Sequence, residues 1–175
     1  MRKKLLSVLL CTAMAATMLT ACGDGNGSSS SSSDKGSSEV KMEKMVSDDG
    51  KVLNIRVWNT EWQDRVVDHY PNYEKVDANT GKIGDVTVKW TQVASKDNAY
   101  QNALDEALTN QAKAAADDRV DIFLIEADYA LKYVDTDYTL DLIKDLGIEE
   151  SKLANQFKYT QDIARDSSGV LKASS

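Results

Sequence analysis

From residue 52 onward, apolar and polar positions alternate between two periods. In "VLNIRVWN" (52–59), Val52, Leu53, Ile55 and Val57 predict a strand. "EWQDRVVDHY" (61–70) carries Trp62, Val66, Val67 and Tyr70 at helical spacing, and Pro71 stops it. "NYEKVDANTGKIGD" (72–85) reads as a polar connection with two glycines. "VTVKWTQV" (86–93) has period two, with Val86, Val88 and Trp90 on one face, and Trp90 reads as core. "NAYQNALDEALTNQAKAAA" (98–116) predicts a long helix whose inner stripe is Tyr100, Ala103, Leu104, Ala107, Leu108 and Gln111. "VDIFLIEA" (120–127) is nearly continuously apolar, as a central strand of a parallel sheet would be. Short helices are expected over 128–134 and 139–148, then an amphipathic helix over 151–165 with Leu153, Phe157 and Ile163 inward. "GVLKASS" (169–175) begins a further strand.

This alternation predicts an α/β fold, with a mostly parallel sheet and helices on both faces. The folded part starts near Lys51 and has about 125 residues, enough for one core. There is no internal repeat. A chain that closes on "VLKASS" as a strand begins reads as a fragment. Such a lobe is expected to be marginal alone, with an open sheet edge and exposed apolar surface.

The first 50 residues are of another kind. Arg2, Lys3 and Lys4 precede the apolar run "LLSVLLCTAMAATML" (5–19), which is short for a membrane span and reads as an export signal, 1–21. "LTAC" (19–22) resembles the bacterial lipobox, which implies that Cys22 is the lipidated first residue of the mature chain; a soluble-secretion signal with an incidental cysteine is the alternative. Cys11 leaves with the signal, so no intramolecular disulfide or cysteine metal cluster is expected. "GDGNGSSSSSSDKGSS" (23–38) has no apolar side chain, and sixteen such residues reach roughly 20–25 Å as a flexible tether. Residues 39–50 are transitional, so the tether region is 22–50 and the folded lobe 51–175. Loss of Arg2, Lys3 and Lys4 takes the 21 basic residues to 18 against 28 acidic ones, a balance of −10. That argues against nucleic acid as a partner and against a polybasic grip on lipid; attachment would come from acyl chains.

In an open α/β sheet, ligands bind beyond the carboxyl ends of the strands. That rule selects Trp58, Asn59, Thr60 and Glu61, then 94–98, then Glu126, Ala127, Asp128 and Tyr129. Aromatic faces with carboxylates and amides are what sugar recognition needs: the ring packs on C–H faces while polar groups pair with hydroxyls. Trp58, Asn59, Glu61, Glu126 and Asp128 are therefore the candidate ligand-binding residues. Each has a plainer role. Trp58 can plug the sheet edge, Asn59 can cap the following helix, and Glu61 can be a first-turn carboxylate. Glu126 can meet an internal cation, and Asp128 can be the N-cap of "YALKYV". Trp62 lies on the apolar stripe of its helix and reads as core. No catalytic or metal-binding residues and no cofactor are expected. His69 has no second histidine or cysteine for a zinc set, and "DTDYTLD" (135–141) puts Leu140 where a calcium loop needs glycine. A Glu126–Asp128 glycosidase pair has no other support in the chain.

The lipobox, the Gly/Ser tether, "LNIRVWNTEWQDRVVDHYP" and "DIFLIEADYALKYVDTDYTLDL" together resemble the extracellular solute-binding lipoproteins of ABC importers, carbohydrate-type family 1. The resemblance implies the first lobe of a periplasmic-binding-protein-like (type II) fold, incomplete because the second lobe is absent. It further implies a non-enzymatic receptor on the extracytoplasmic face of a bacterial cell membrane, held by its lipid anchor. Such a receptor captures a sugar or oligosaccharide by two-lobe closure and passes it to ABC permease subunits. A peptide or polyamine receptor of the same fold, or a surface hydrolase or adhesin module, are the rival readings.

Overall fold

The structure, a computed structural model, describes residues 50–174. The chain separates into two units, Met1–Ser38 and Glu39–Ser175, and all described residues belong to the second. The expected signal, Cys22 and the tether as far as residue 49 lie outside the described residues. The elements are β1 (Val52–Val57), α1 (Glu61–His69), β2 (Tyr73–Lys75), β3 (Thr80–Ile83), β4 (Val86–Gln92), α2 (Ala99–Asn110), β5 (Ile122–Phe123), α3 (Leu131–Val134) and α4 (Lys158–Ile163). The strands form one open five-stranded sheet in the order β2-β3-β4-β1-β5.

In this mixed α/β domain β1 is the middle strand of the parallel part of the sheet, β4-β1-β5. It pairs in parallel with β4 from Val52↔Thr87 to Val57↔Gln92, and with β5 at Ile55↔Ile122 and Arg56↔Phe123. Alternation along β1 puts Leu53, Ile55 and Val57 on one face of the sheet and Asn54 and Arg56 on the other. On one face Ile55, Val57, Val88 and Trp90 are buried, with Trp62 and Val66 of α1 packed on them. On the other, Tyr100, Leu104 and Leu108 of α2 join Val120 and Tyr133, and Trp58, Phe123 and Ile125 pack against them. The stripe read for α2 is therefore the buried one. Helices do cover both faces, and the reason is topological. The crossover from β1 runs outward to β4, the next runs back across β1 to β5, and crossovers of one hand in opposite directions land on opposite faces.

Several elements differ from expectation. The segment 72–85 is not a bare connection but holds β2 and β3, which pair antiparallel with each other and, through β3, with β4. The sheet is thus mixed rather than mostly parallel. The cause is a two-residue turn, Gly84-Asp85, joining Ile83 to its partner Val86; Gly84 has φ 58°, the sign a hairpin turn of type II′ requires at that position. A second glycine fixes the register. At Gly81 any Cβ would fall inside the Tyr73 phenol ring, whose hydroxyl accepts a 2.9 Å hydrogen bond from Trp90 Nε1.

The helix expected over 98–116 stops at Asn110 and tightens into a 3-10 turn over Gln111–Lys113. The Gln111 side chain turns away to pair with the main chain of Val120, donating to its carbonyl at 2.7 Å and accepting from its N–H at 2.9 Å. That amide-to-peptide clamp fixes the entry to β5 and overrides the helix preference of the alanines beyond. The strand expected over 120–127 as a central one is instead an edge strand with β1 as its one partner, regular only at Ile122–Phe123, although Asp121 N–H to Asn54 O and Leu124 N–H to Arg56 O extend that pairing. Asp128 does not cap the following helix, because α3 begins at Leu131 with Ala130 in the cap position. Residues 139–148 are turns, not a helix: the Asp141 carboxylate accepts from Ile143 and Lys144 N–H at 2.9 Å each, an aspartate competing with helix formation. The 151–165 helix is a 3-10 turn at Glu150–Leu153 followed by α4. Leu153 is buried as read, but Phe157 is 73% exposed. The final strand is reduced to one bridge, Arg165↔Leu171.

Candidate functional site

Since β4, β1 and β5 run parallel, their carboxyl ends share one side of the sheet. That side carries residues 58–61, 93–98 and 124–128. The chain leaving β1 turns to the α1 face, whereas the chains leaving β4 and β5 turn to the face of α2 and Tyr133. β1 thus stands at a topological switch, where diverging loops leave a crevice at the strand ends. The Trp58–Trp62 cluster of the sequence is split between two faces. Trp62 packs edge-on to Trp90 at 5.6 Å and 70°, while Trp58 packs edge-on to Tyr100 at 5.5 Å and 87°.

Beneath Trp58, the Tyr100 hydroxyl pins the strand ends together. It donates to Leu124 O at 2.8 Å, lies 3.1 Å from Arg56 O, and accepts from Leu124 N–H at 3.1 Å. Burial pushes its pKa well above the ordinary phenol value, so it stays a donor. Tyr100 enters this position from the first turn of α2. Two consecutive left-handed residues, Asp97 (φ 54°) and Asn98 (φ 60°), precede that turn. Aspartate and asparagine are the non-glycine residues that accept such a backbone most readily.

The five candidate residues are not equivalent. Trp58 is half-buried and belongs to the core cluster around Tyr100. Asn59 is exposed, and its Oδ1 accepts from Glu61 N–H at 3.1 Å, a local turn contact that is its plainer role. Glu61 pairs with Arg65 at 3.0 Å on the exposed side of α1. Asp128 is exposed. Glu126 alone lines a hollow, about 220 Å³, at the end of β5. Thus β1 delivers Trp58, Asn59 and Glu61 and β5 delivers Glu126 and Asp128 to one side of the sheet, and only Glu126 meets a concave surface.

Reading the sequence alone missed what stands across from Glu126. Tyr159, Thr160 and Ile163 of α4, with Ala164, Ala173 and Ser174, form the far wall of that hollow. Tyr159 is 70% exposed and stacks on Phe157, ring centroids 5.8 Å apart and planes inclined by 19°. The signal was present in "QFKYTQ", where two aromatics two residues apart cannot both face inward from one helix. Tyr129, singled out only by position, has a buried hydroxyl that lies against the Glu126 main chain and meets no partner of good geometry. Burial raises its pKa.

A larger hollow, about 650 Å³, runs along the outer edge of β5 between Ile122, Leu124, Leu142, Leu146 and Ile148. It contains none of the five candidate residues and flanks the strand instead of capping its carboxyl end. Among the described residues no group of three His, Cys, Asp or Glu side chains could hold a metal ion, and no helix is long and apolar enough to cross a membrane. No family model, curated protein or solved structure matches this chain.

Proposed function

We propose that this chain is the capture component of an ABC importer. In this reading it is a lipoprotein anchored through Cys22 on the extracytoplasmic face of a bacterial membrane, and its folded part is a first lobe of the periplasmic-binding-protein type. Its ligand is a sugar or oligosaccharide, bound and released without a bond being made or broken, and its membrane partner is the permease. The observation that carries the reading is the switch at β1. The chain leaves β1 toward one face and leaves β4 and β5 toward the other, and aromatic, amide and carboxylate groups following β1 and β5 lie along the same edge of the sheet, with Glu126 lining a hollow. The acidic balance of the chain fits a neutral hydroxylated ligand and does not favour a polyanion.

Two measurements test this. The full chain is titrated calorimetrically against mono- and oligosaccharides, spermidine and short peptides, with product analysis of the sugar samples. Saturable sugar binding without turnover is the expected result; preference for spermidine or peptide, or release of cleaved glycan, sinks the sugar-receptor reading. Labelling cells with an alkyne fatty acid should mark the wild-type chain and not a Cys22→Ala variant. Equal labelling of both would remove the anchor.

A further inference from the structure

Resting on the sugar-capture reading, we infer that the hollow between the end of β5 and α4 is a subsite for one pyranose-sized ring. Tyr159, Glu126 and Thr160 would be its recognition groups.

The size argues first. At about 30 Å³ per water, a volume of about 220 Å³ matches roughly seven waters, the room taken by one hydroxylated six-membered ring.

Chemistry narrows the class. The floor is built from methyl-bearing groups, among them Ala130, Ala164 and Ile163, and offers an apolar surface to a C–H face. Tyr159 supplies the aromatic wall. It stacks on Phe157 and is 70% exposed, so its ring is open to a ligand. Glu126 and Thr160 belong to the lining with a carboxylate and a hydroxyl; the latter donates to Phe157 O at 2.8 Å, so toward a ring hydroxyl both act as acceptors.

Charge separates the sugar from the polyamine. Glu126 is the only carboxylate in the lining, and no Lys, Arg or His accompanies it. A spermidine-like polycation needs several spaced carboxylates, and an anionic ligand would be repelled by the one present. A neutral polyol satisfies both conditions. The recognition centre therefore moves away from Trp58, whose ring is half spent on Tyr100, toward α4.

The test uses the full chain with methyl glucoside, methyl galactoside, maltose, cellobiose and spermidine at millimolar concentration. Binding is read by saturation-transfer and amide chemical-shift changes. Both Glu126 and Tyr159 are exposed, so Tyr159→Ala and Glu126→Ala should leave the fold intact; Thr160→Val also removes the hydroxyl's bond to Phe157 O, and far-UV dichroism checks all three. The subsite predicts shifts centred on residues 125–130 and 159–164. It also predicts about tenfold weaker sugar binding in Tyr159→Ala and Glu126→Ala, against an unchanged Glu74→Gln control on β2. Sugar binding that all three variants retain at control strength overturns the subsite and leaves the receptor reading standing. Absence of sugar binding in the wild type, or binding of spermidine in its place, overturns both.

Discussion

Replacing Tyr100 by phenylalanine removes one oxygen atom from the core and leaves the ring that supports Trp58. In the native protein that oxygen donates to Leu124 O at 2.8 Å and accepts from Leu124 N–H at 3.1 Å. Without it, Leu124 N–H still has Arg56 O at 3.1 Å, but Leu124 O loses its donor at the point where β5 ceases to be regular. Leaving a buried acceptor unmet costs about 1–3 kcal/mol. For a domain of about 125 residues, that lowers Tm by about 4–12 °C. The loss should be local as well as global, because β5 pairs with β1 at only two residue pairs, Ile55↔Ile122 and Arg56↔Phe123. Thermal melts of the full chain followed by circular dichroism give the first number. Amide hydrogen exchange at Leu124 and Ile125 gives the second, and it should accelerate more than exchange at Val88 in β4. The phenol also sets a pH signature. Its folded-state pKa lies above the ordinary value of 10.0, so its stabilisation is complete below that value and declines as pH rises beyond it. The variant should therefore lose less stability than wild type between neutral pH and the alkaline range. An unchanged Tm together with unchanged exchange at Leu124 would refute the role given to this hydroxyl.

Gly81→Ala forces the Tyr73 ring aside and breaks its bond to Trp90 Nε1. It should cost about 1–3 kcal/mol in urea unfolding and alter tryptophan emission, and a neutral result would show that the hairpin yields freely. Gln111→Ala strips partners from both main-chain groups of Val120, for about 1–3 kcal/mol; Gln111→Glu keeps the acceptor but sets a carboxylate oxygen against the Val120 carbonyl, and should be no more stable than Gln111→Ala in a chemical melt at neutral pH. The Asp166 carboxylate is held below its usual range by the Ser168 hydroxyl and then by the Val170 and Ser168 N–H groups. Its stabilisation is present above the ordinary aspartate pKa and is lost as pH falls through the lowered one. Melting of Asp166→Asn should consequently depend less on acid pH than melting of wild type, and parallel curves would contradict that.

Much of the fold was legible along the chain. The β1 pattern, the 86–92 strand and the Tyr100–Leu104–Leu108 stripe follow from periodicity, because each long element must bury one continuous face whatever it packs on. The β3–β4 hairpin was legible too, in Gly84-Asp85 between Ile83 and Val86, but the polar run before it masked the signal. Residues 139–148 show the limit of period reading. "TLDLIKDLGI" has helix-like spacing, yet Asp141 satisfies the local N–H groups itself. The carboxyl-end rule picked out Glu126 and Trp58 from position alone, and could say nothing about which of them meets a cavity.

The sequence by itself determined which residues of β1, β4 and α2 lie inside, that strands and helices alternate, and which strand ends would carry polar and aromatic groups. Those are properties of neighbours in the chain, set by side-chain period and by Gly and Pro. Only the tertiary structure decided that β1 lies between β4 and β5, that Trp58 and Trp62 lie on opposite faces of one sheet, and that Glu126 meets Tyr159 across a hollow. Residues 126 and 159 are joined by turns and short helices with no regular period. Their meeting depends on how Leu153, Ala164 and Leu171 pack into a small core of their own, which no local pattern encodes.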